Sequence, residues 1–349
     1  MTDLIPVSLL TGFLGSGKTT LLNRLLPDPF LADTLVLINE FGEIGLDHQL
    51  IASVDADMVV MASGCICCSI QSDLSMTLIE MIDKRTAGTI SPFRRVVIET
   101  TGLADPAPIL HTLMQDPTIT PHYRLDGVIA TVDLVNGDSQ LTRQQEAVKQ
   151  IAVADRLVLT KRDLVQDPAA LAALEARLHA INPAAPRLAA DAPVADLFNA
   201  GLYNPATKSM QVQEWLRAEA YARPHHHDHG HDHHHHHHHD VNRHDDLIRA
   251  HCLMIDEPLE WGAFSLWAQS LAAYRGEDLL RLKAILNVKG EDVPLAVHGI
   301  QHLFHPPAKL PAWPDDDRRS KIVLITRGIE RQYLEDTLTR VKLSAVPEN

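Results

Sequence analysis

Basic residues are in short supply in this 349-residue sequence: 31 Lys and Arg stand against 45 Asp and Glu, a formal net charge of -14. That balance argues against a nucleic-acid partner, because phosphate binding needs a basic face and none stands out. Long apolar runs are missing too. No stretch approaches the roughly 20 apolar residues of a membrane span. Residues 1–6 offer no basic start followed by a cleavable apolar segment, so a cytoplasmic protein with no membrane partner is expected. Cysteines are few, four in all, with three packed into Cys65-Ile66-Cys67-Cys68. Such a cluster is no disulfide framework, and a reducing compartment keeps the thiols available as thiolates. Metal chemistry becomes their leading use.

What is present is apolar material in a regular rhythm. Hydrophobic residues make up 45% of the chain, enough at this length for two domains with cores of their own. Short β-rich runs at residues 4–10, 35–38, 58–61, 95–98, 127–132 and 156–159 alternate with segments of helical length at 18–26, 71–84, 106–114, 139–154 and 168–180. That rhythm predicts an α/β fold with a mostly parallel sheet. The first domain is expected over residues 1–203. Within residues 204–246 the composition collapses into His and Asp, which cannot bury enough apolar surface to offset the entropy of ordering, and a flexible linker is expected there. Residues 247–349 predict a smaller α+β domain, with strands at 248–255, 282–288, 295–303 and 322–326 and helices at 261–274 and 330–341.

The strongest motif is Gly12-Phe13-Leu14-Gly15-Ser16-Gly17-Lys18-Thr19, a full Walker A pattern between an apolar strand and a helix. Gly12, Gly15 and Gly17 let backbone N–H groups converge on phosphates, with Ser16 between them. Lys18 reaches the terminal phosphates, Thr19 can ligate Mg²⁺, and Thr20 follows at a helix start that favours anions. Further on, the run 156–159 ends in Thr160-Lys161-Arg162-Asp163, a variant of the Asn-Lys-x-Asp guanine signature. The Asp163 carboxylate can accept from the ring N–H and exocyclic amine of guanine, a pattern adenine lacks, while the Lys161 stem covers the base. GTP is therefore the expected nucleotide. A Walker B strand is read in Val96-Val97-Ile98-Glu99-Thr100-Thr101-Gly102. Glu99 serves the Mg²⁺ shell or orients the attacking water, unless it is an ordinary strand-end charge, and the Gly102 N–H can sense the γ-phosphate. Asp105 is expected to cap the next helix rather than touch nucleotide.

Three thiols in four residues, Cys65, Cys67 and Cys68, point to a soft transition metal over inert buried cysteines or a redox switch. Three sulfurs in one loop leave part of a tetrahedral shell to another ligand. Glu40 and Glu43, in Asn39-Glu40-Phe41-Gly42-Glu43, are candidates in a segment placed where a nucleotide switch should sit. The second conspicuous tract, His225 to His239, is interleaved with Asp and Gly inside the chain, which argues against an engineered tag. Imidazoles there suit Zn²⁺, Ni²⁺, Cu²⁺ or Co²⁺ held weakly and exchanged, against the blander alternative of a solvated spacer. Cys252 is expected to be a core cysteine on a strand.

Taken in order and spacing, Gly12 to Thr19, Asn39 to Asp47, Gly64 to Cys68, Glu99 to Pro106 and Thr160 to Asp163 closely resemble the CobW-like GTPases, a family of metallochaperones. The resemblance covers essentially the whole chain, the second domain only by position and strand content. It implies a SIMIBI-class P-loop fold, GTP hydrolysis with Mg²⁺, transition-metal binding at the Cys-x-Cys-Cys segment, and insertion of the metal into a client metalloprotein. By position it assigns Lys18 and Thr19 to phosphate and Mg²⁺, Asp163 to guanine, and Glu43, Cys67 and Cys68, with Cys65, to the metal. Some relatives carry a further carboxylate where this chain has Ile38. Zn²⁺ is the favoured metal, with Co²⁺ the main alternative because the family includes cobalamin-associated members, and a homodimer is suggested by resemblance alone. Two readings of other classes compete. One is a metal-storage or buffering protein with a vestigial GTPase. The other is an adenine-nucleotide-dependent kinase or ligase with a structural zinc.

Overall fold

The computed structural model describes residues 4–40, 58–62, 69–198 and 247–344. Strands and helices alternate from the start: β1 (Ile5–Gly12), α1 (Lys18–Leu25), β2 (Thr34–Glu40), β3 (Met58–Ala62), α2 (Ser69–Ala87), β4 (Arg95–Thr100), α3 (Ala107–Gln115) and β5 (Tyr123–Asp133). There follow α4 (Gly137–Arg143), α5 (Gln145–Val153), β6 (Arg156–Thr160), α6 (Pro168–Ile181), β7 (Arg187–Ala189) and α7 (Val194–Leu197). All seven strands are parallel, in the order β3-β2-β4-β1-β5-β6-β7.

The apolar runs explain why these strands lie inside. β1 is buried along nearly its whole length, as a strand covered on both faces must be. Ile5, Val7 and Leu9 pack with α2 and α3 on one face, while Leu10 joins Leu21, Leu22 and Leu25 of α1 on the other. α5 and α6 extend the first face over β5 and β6 through Ile151, Leu174 and Leu178. The helix expected over 139–154 is two helices, because Gln144 adopts an extended conformation between α4 and α5.

The second part of the chain builds β8 (Ile248–Ile255), α8 (Trp261–Arg275), β9 (Leu279–Leu286), β10 (Leu295–Ile300), β11 (Leu303–Phe304), β12 (Ala308–Lys309), β13 (Ser320–Arg327) and α9 (Arg331–Ser344). Its sheet is antiparallel in the order β11-β10-β9-β13-β8, with β12 paired to β10. The strand expected at 282–288 begins earlier, at Leu279, and the run expected at 295–303 breaks at the tight turn between β10 and β11. α8 and α9 cover one face through Phe264, Trp267, Leu334 and Leu338. The other face, with Ile248, Cys252, Ile285, Val323 and Ile325, shares a core with α5 and α6, so the two sheets are joined by apolar packing.

Candidate functional site

The carboxyl ends of β1, β4, β5 and β6 converge where strand order reverses around β1, the place where open α/β sheets form binding crevices. The loop between β1 and α1 folds there under steric compulsion. Gly12, Gly15 and Gly17 have φ of 139°, 71° and 89°, values that L side chains rarely adopt. A Cβ on Gly12 would stand 2.2 Å from Thr131 Oγ1. Ser16 is buried, its Oγ 2.6 Å from Thr131 Oγ1, and Lys18 folds its Nζ over the loop to donate to Gly12 O at 3.0 Å. Thr20 lies exposed at the first turn of α1.

Thr19 Oγ1 donates to Glu99 Oε1 at 2.7 Å, which ties the start of α1 to the end of β4. Glu99 is buried at this sheet position, beside Leu10 of β1 and Ile38 of β2. A hydroxyl and a carboxylate in contact form a hard-oxygen pair suited to Mg²⁺, and these two residues would hold the ion, whose charge would offset that of nucleotide phosphates. Gly102 abuts the phosphate loop so closely that a Cβ would lie 2.5 Å from Leu14 N. Asp105 caps α3 as expected, accepting from Ala107 N–H at 3.0 Å, and its other oxygen meets Lys149 Nζ at 2.6 Å.

Thr160 closes the site from β6: its single hydroxyl proton is shared between Ser16 O at 2.8 Å and Val132 O at 3.0 Å from Oγ1. Lys161 holds an uncommon left-handed backbone (φ 58°) and pairs with Asp133 at 2.8 Å, while Asp163 stands exposed in the following short 3₁₀ turn. Asp133 was not singled out from sequence. Burial pushes its carboxyl upward, but hydrogen bonds from Lys161, Asn136 and Val135 outweigh that and hold it below the ordinary value. A strand-end acid three residues before Asn136 was the signal that could have found it.

β2 and β3 are adjacent and parallel, with Glu40 registered against Ala62. The chain therefore leaves β2 toward Glu43, and leaves β3 toward Cys65, Cys67 and Cys68, from neighbouring strand ends that stand two and three strands away from β1. Glu43, the three cysteines and His225 to His239 lie outside the described residues. Among the described residues no group of three or more His, Cys, Asp or Glu is placed to hold a metal ion. Cys252 is buried on β8, in the core as expected.

Residues 6–189 match the model of the CobW/HypB/UreG nucleotide-binding domain, and residues 248–342 that of the cobalamin synthesis protein CobW C-terminal domain. The chain belongs to the CobW family. Escherichia coli zinc chaperone YjiA is 33% identical over 321 residues, covering 92% of this chain and 93% of that protein. The zinc chaperone CobW of Pseudomonas aeruginosa is 27% identical over 365 residues, covering 96% and 90%. The crystal structure of Zn(II)-bound YjiA GTPase superposes with a TM-score of 0.69 at 27% identity, over 97% of this chain and 99% of that one. As a CobW protein, this chain has both parts of the family architecture: a P-loop sheet and a C-terminal antiparallel sheet. No described helix is long and apolar enough to cross a membrane.

Proposed function

We propose that this chain is a GTP-hydrolysing metallochaperone that carries Zn²⁺ and couples hydrolysis to its transfer to a client metalloprotein. In this reading Gly12, Gly15, Ser16, Gly17, Lys18, Thr19 and Thr20 cradle the phosphates. Thr160, Lys161 and Asp163 select guanine, and Lys18, Glu99 and Gly102 serve hydrolysis. Glu43, Cys65, Cys67 and Cys68 hold the cargo, and the His tract within residues 204–246 exchanges ions with that site. Relatives named as zinc chaperones, alike over nine-tenths of the chain, support the class.

One observation carries the coupling. Ile38 of β2 registers against Glu99, and two residues on, Glu40 registers against Ala62. The segments bearing Glu43 and the cysteines thus begin one or two strands from the residue that contacts Thr19. A rearrangement on loss of the γ-phosphate has only that far to travel.

The test is Zn²⁺ affinity on the full chain with a non-hydrolysable GTP analogue and with GDP, compared with Cys67→Ala/Cys68→Ala, alongside GTP turnover. Affinity should differ by roughly tenfold between the two nucleotide states, within the usual range of coupling energies, and the double substitution should erase the difference. Affinity indifferent to nucleotide would leave a structural or storage site and end the gating mechanism.

A further inference from the structure

A helix end buried in protein leaves carbonyls that lack intrahelical donors, and side chains must meet them. For α5 they are met from both parts of the chain. Asn182, just past α6, donates through Nδ2 to Ile151 O at 2.8 Å and Ala154 O at 2.9 Å. Arg281, on β9, donates to Val153 O, to Ala154 O at 2.8 Å, and to the Asp155 carboxylate. Lys283, two residues along the same strand face, reaches the same carboxylate at 2.8 Å.

Earlier in α5, two side chains hold the loop that follows β4. Lys149 pairs with Asp105. Gln150, only 1% exposed, donates through Nε2 to Gly102 O at 3.2 Å and to Ala104 O at 3.0 Å. Its Oε1 is buried with no hydrogen-bond partner among the described residues. An amide so deeply buried, with both donors committed to the main chain of one loop, fixes that loop in a way an apolar residue of equal size cannot. The nine-residue α5 thus touches the Gly102 loop at one point and the second sheet at its end.

We propose that Gln150 is a positioning residue for GTP hydrolysis, holding residues 101–105 so that the Gly102 N–H faces the γ-phosphate, and that Arg281 of the second domain adjusts that position by clasping the end of α5. The proposal rests on the GTPase reading above and adds a regulatory route to it: whatever shifts β9 changes GTP turnover. A single turn separates Gln150 from the carbonyls that Arg281 holds, so the helix transmits displacement without an intermediary.

The experiment measures GTP turnover, and affinities for GDP and a non-hydrolysable GTP analogue, on the full chain and on Gln150→Leu, Gln150→Met and Arg281→Lys. Both Gln150 variants should lose about tenfold or more in kcat, the scale of a misplaced catalytic contact, and weaken the analogue, while GDP, which lacks the γ-phosphate, binds within about twofold of normal. Arg281→Lys keeps a charge beside Asp155 but loses the fork onto the carbonyls, and should move kcat and the analogue-to-GDP ratio in the same direction by about threefold. Unaltered kcat and ratio in folded Gln150→Leu or Gln150→Met overturn the positioning role. Effects at Gln150 with none at Arg281 overturn the link to the second domain. A wild-type chain that does not turn over GTP is a different result, since it overturns the GTPase reading and the role built on it.

Discussion

Thr160 stands where the guanine signature has asparagine, and its hydroxyl bridges β5 to the phosphate loop through Val132 O and Ser16 O. The turn proposed to recognise the base is thereby fastened to the glycine-rich loop by one buried atom. Thr160→Val keeps the shape and removes both contacts, leaving Ser16 O without this donor. At about 1 kcal/mol for a lost hydrogen bond, GTP and GDP should each bind about fivefold more weakly and to the same degree, read by titration with fluorescent nucleotides, whereas Thr160→Ser should stay near wild type. Lys18, Thr19, Glu99 and Asp163 stand out as candidates in the sequence because each sits at a fixed offset from a strand or a glycine. Asp133 and Gln150 were not, since what gives them meaning is a partner 28 residues away for Asp133 and 48 residues away for Gln150, chosen by the fold.

At the scale of elements, alternation along β9 divides its side chains between two environments: Leu282, Ala284 and Leu286 meet α8 and α9, while Arg281, Lys283 and Ile285 turn to α5. Two cations on the inward face of a fully buried strand are invisible to a pattern that reads apolar runs, although the strand itself was legible near its true position. Asp155 is held ionised, because Arg281 and Lys283 outweigh the cost of its burial. Lys283 goes the other way: burial and the neighbouring Arg281 lower its ammonium to about 7 despite the attraction of Asp155. His298, opposite Lys283 on β10, is kept neutral by burial and by the same two cations. The unfolded chain then binds the Lys283 proton more tightly than the folded one between about pH 7 and the ordinary lysine range, so this group's contribution to stability rises with pH through that window. Urea unfolding at pH 7 and pH 9 should show wild type gaining on the order of 2 kcal/mol relative to Lys283→Met over that interval. Parallel curves for the two proteins would refute the perturbed lysine. The break at Gln144, by contrast, had no proline or glycine to announce it. Arg177 of α6 reaches Asp138 and Thr142 across the helix pair, and such a contact has no signature in the local pattern.

For the whole molecule, the decisive feature is a core with members from both sheets: Ile151, Leu174 and Leu178 on one side, Ile248, Ile285 and Ile325 on the other. The amino-acid pattern predicts two domains with a His-rich stretch between them, and the described helices and strands fall near the expected places in each. It could not show that the second sheet packs its inner face on α5 and α6, because apolar residues in a strand do not declare which helix covers them. Ile325 is fully buried there. Ile325→Ala should cost about 2–4 kcal/mol, and fluorescence and circular dichroism should report one shifted unfolding transition rather than two. Separate transitions would mean that the halves fold independently.

The same shared core decides what happens if the polypeptide is severed. Apolar packing and the Arg281–Asp155 contact tie the halves together without any peptide bond between residues 199 and 246. A protease that nicks the chain there produces two fragments on a denaturing gel and a single particle on a sizing column, with the nucleotide pocket and the carboxyl-terminal sheet still in register.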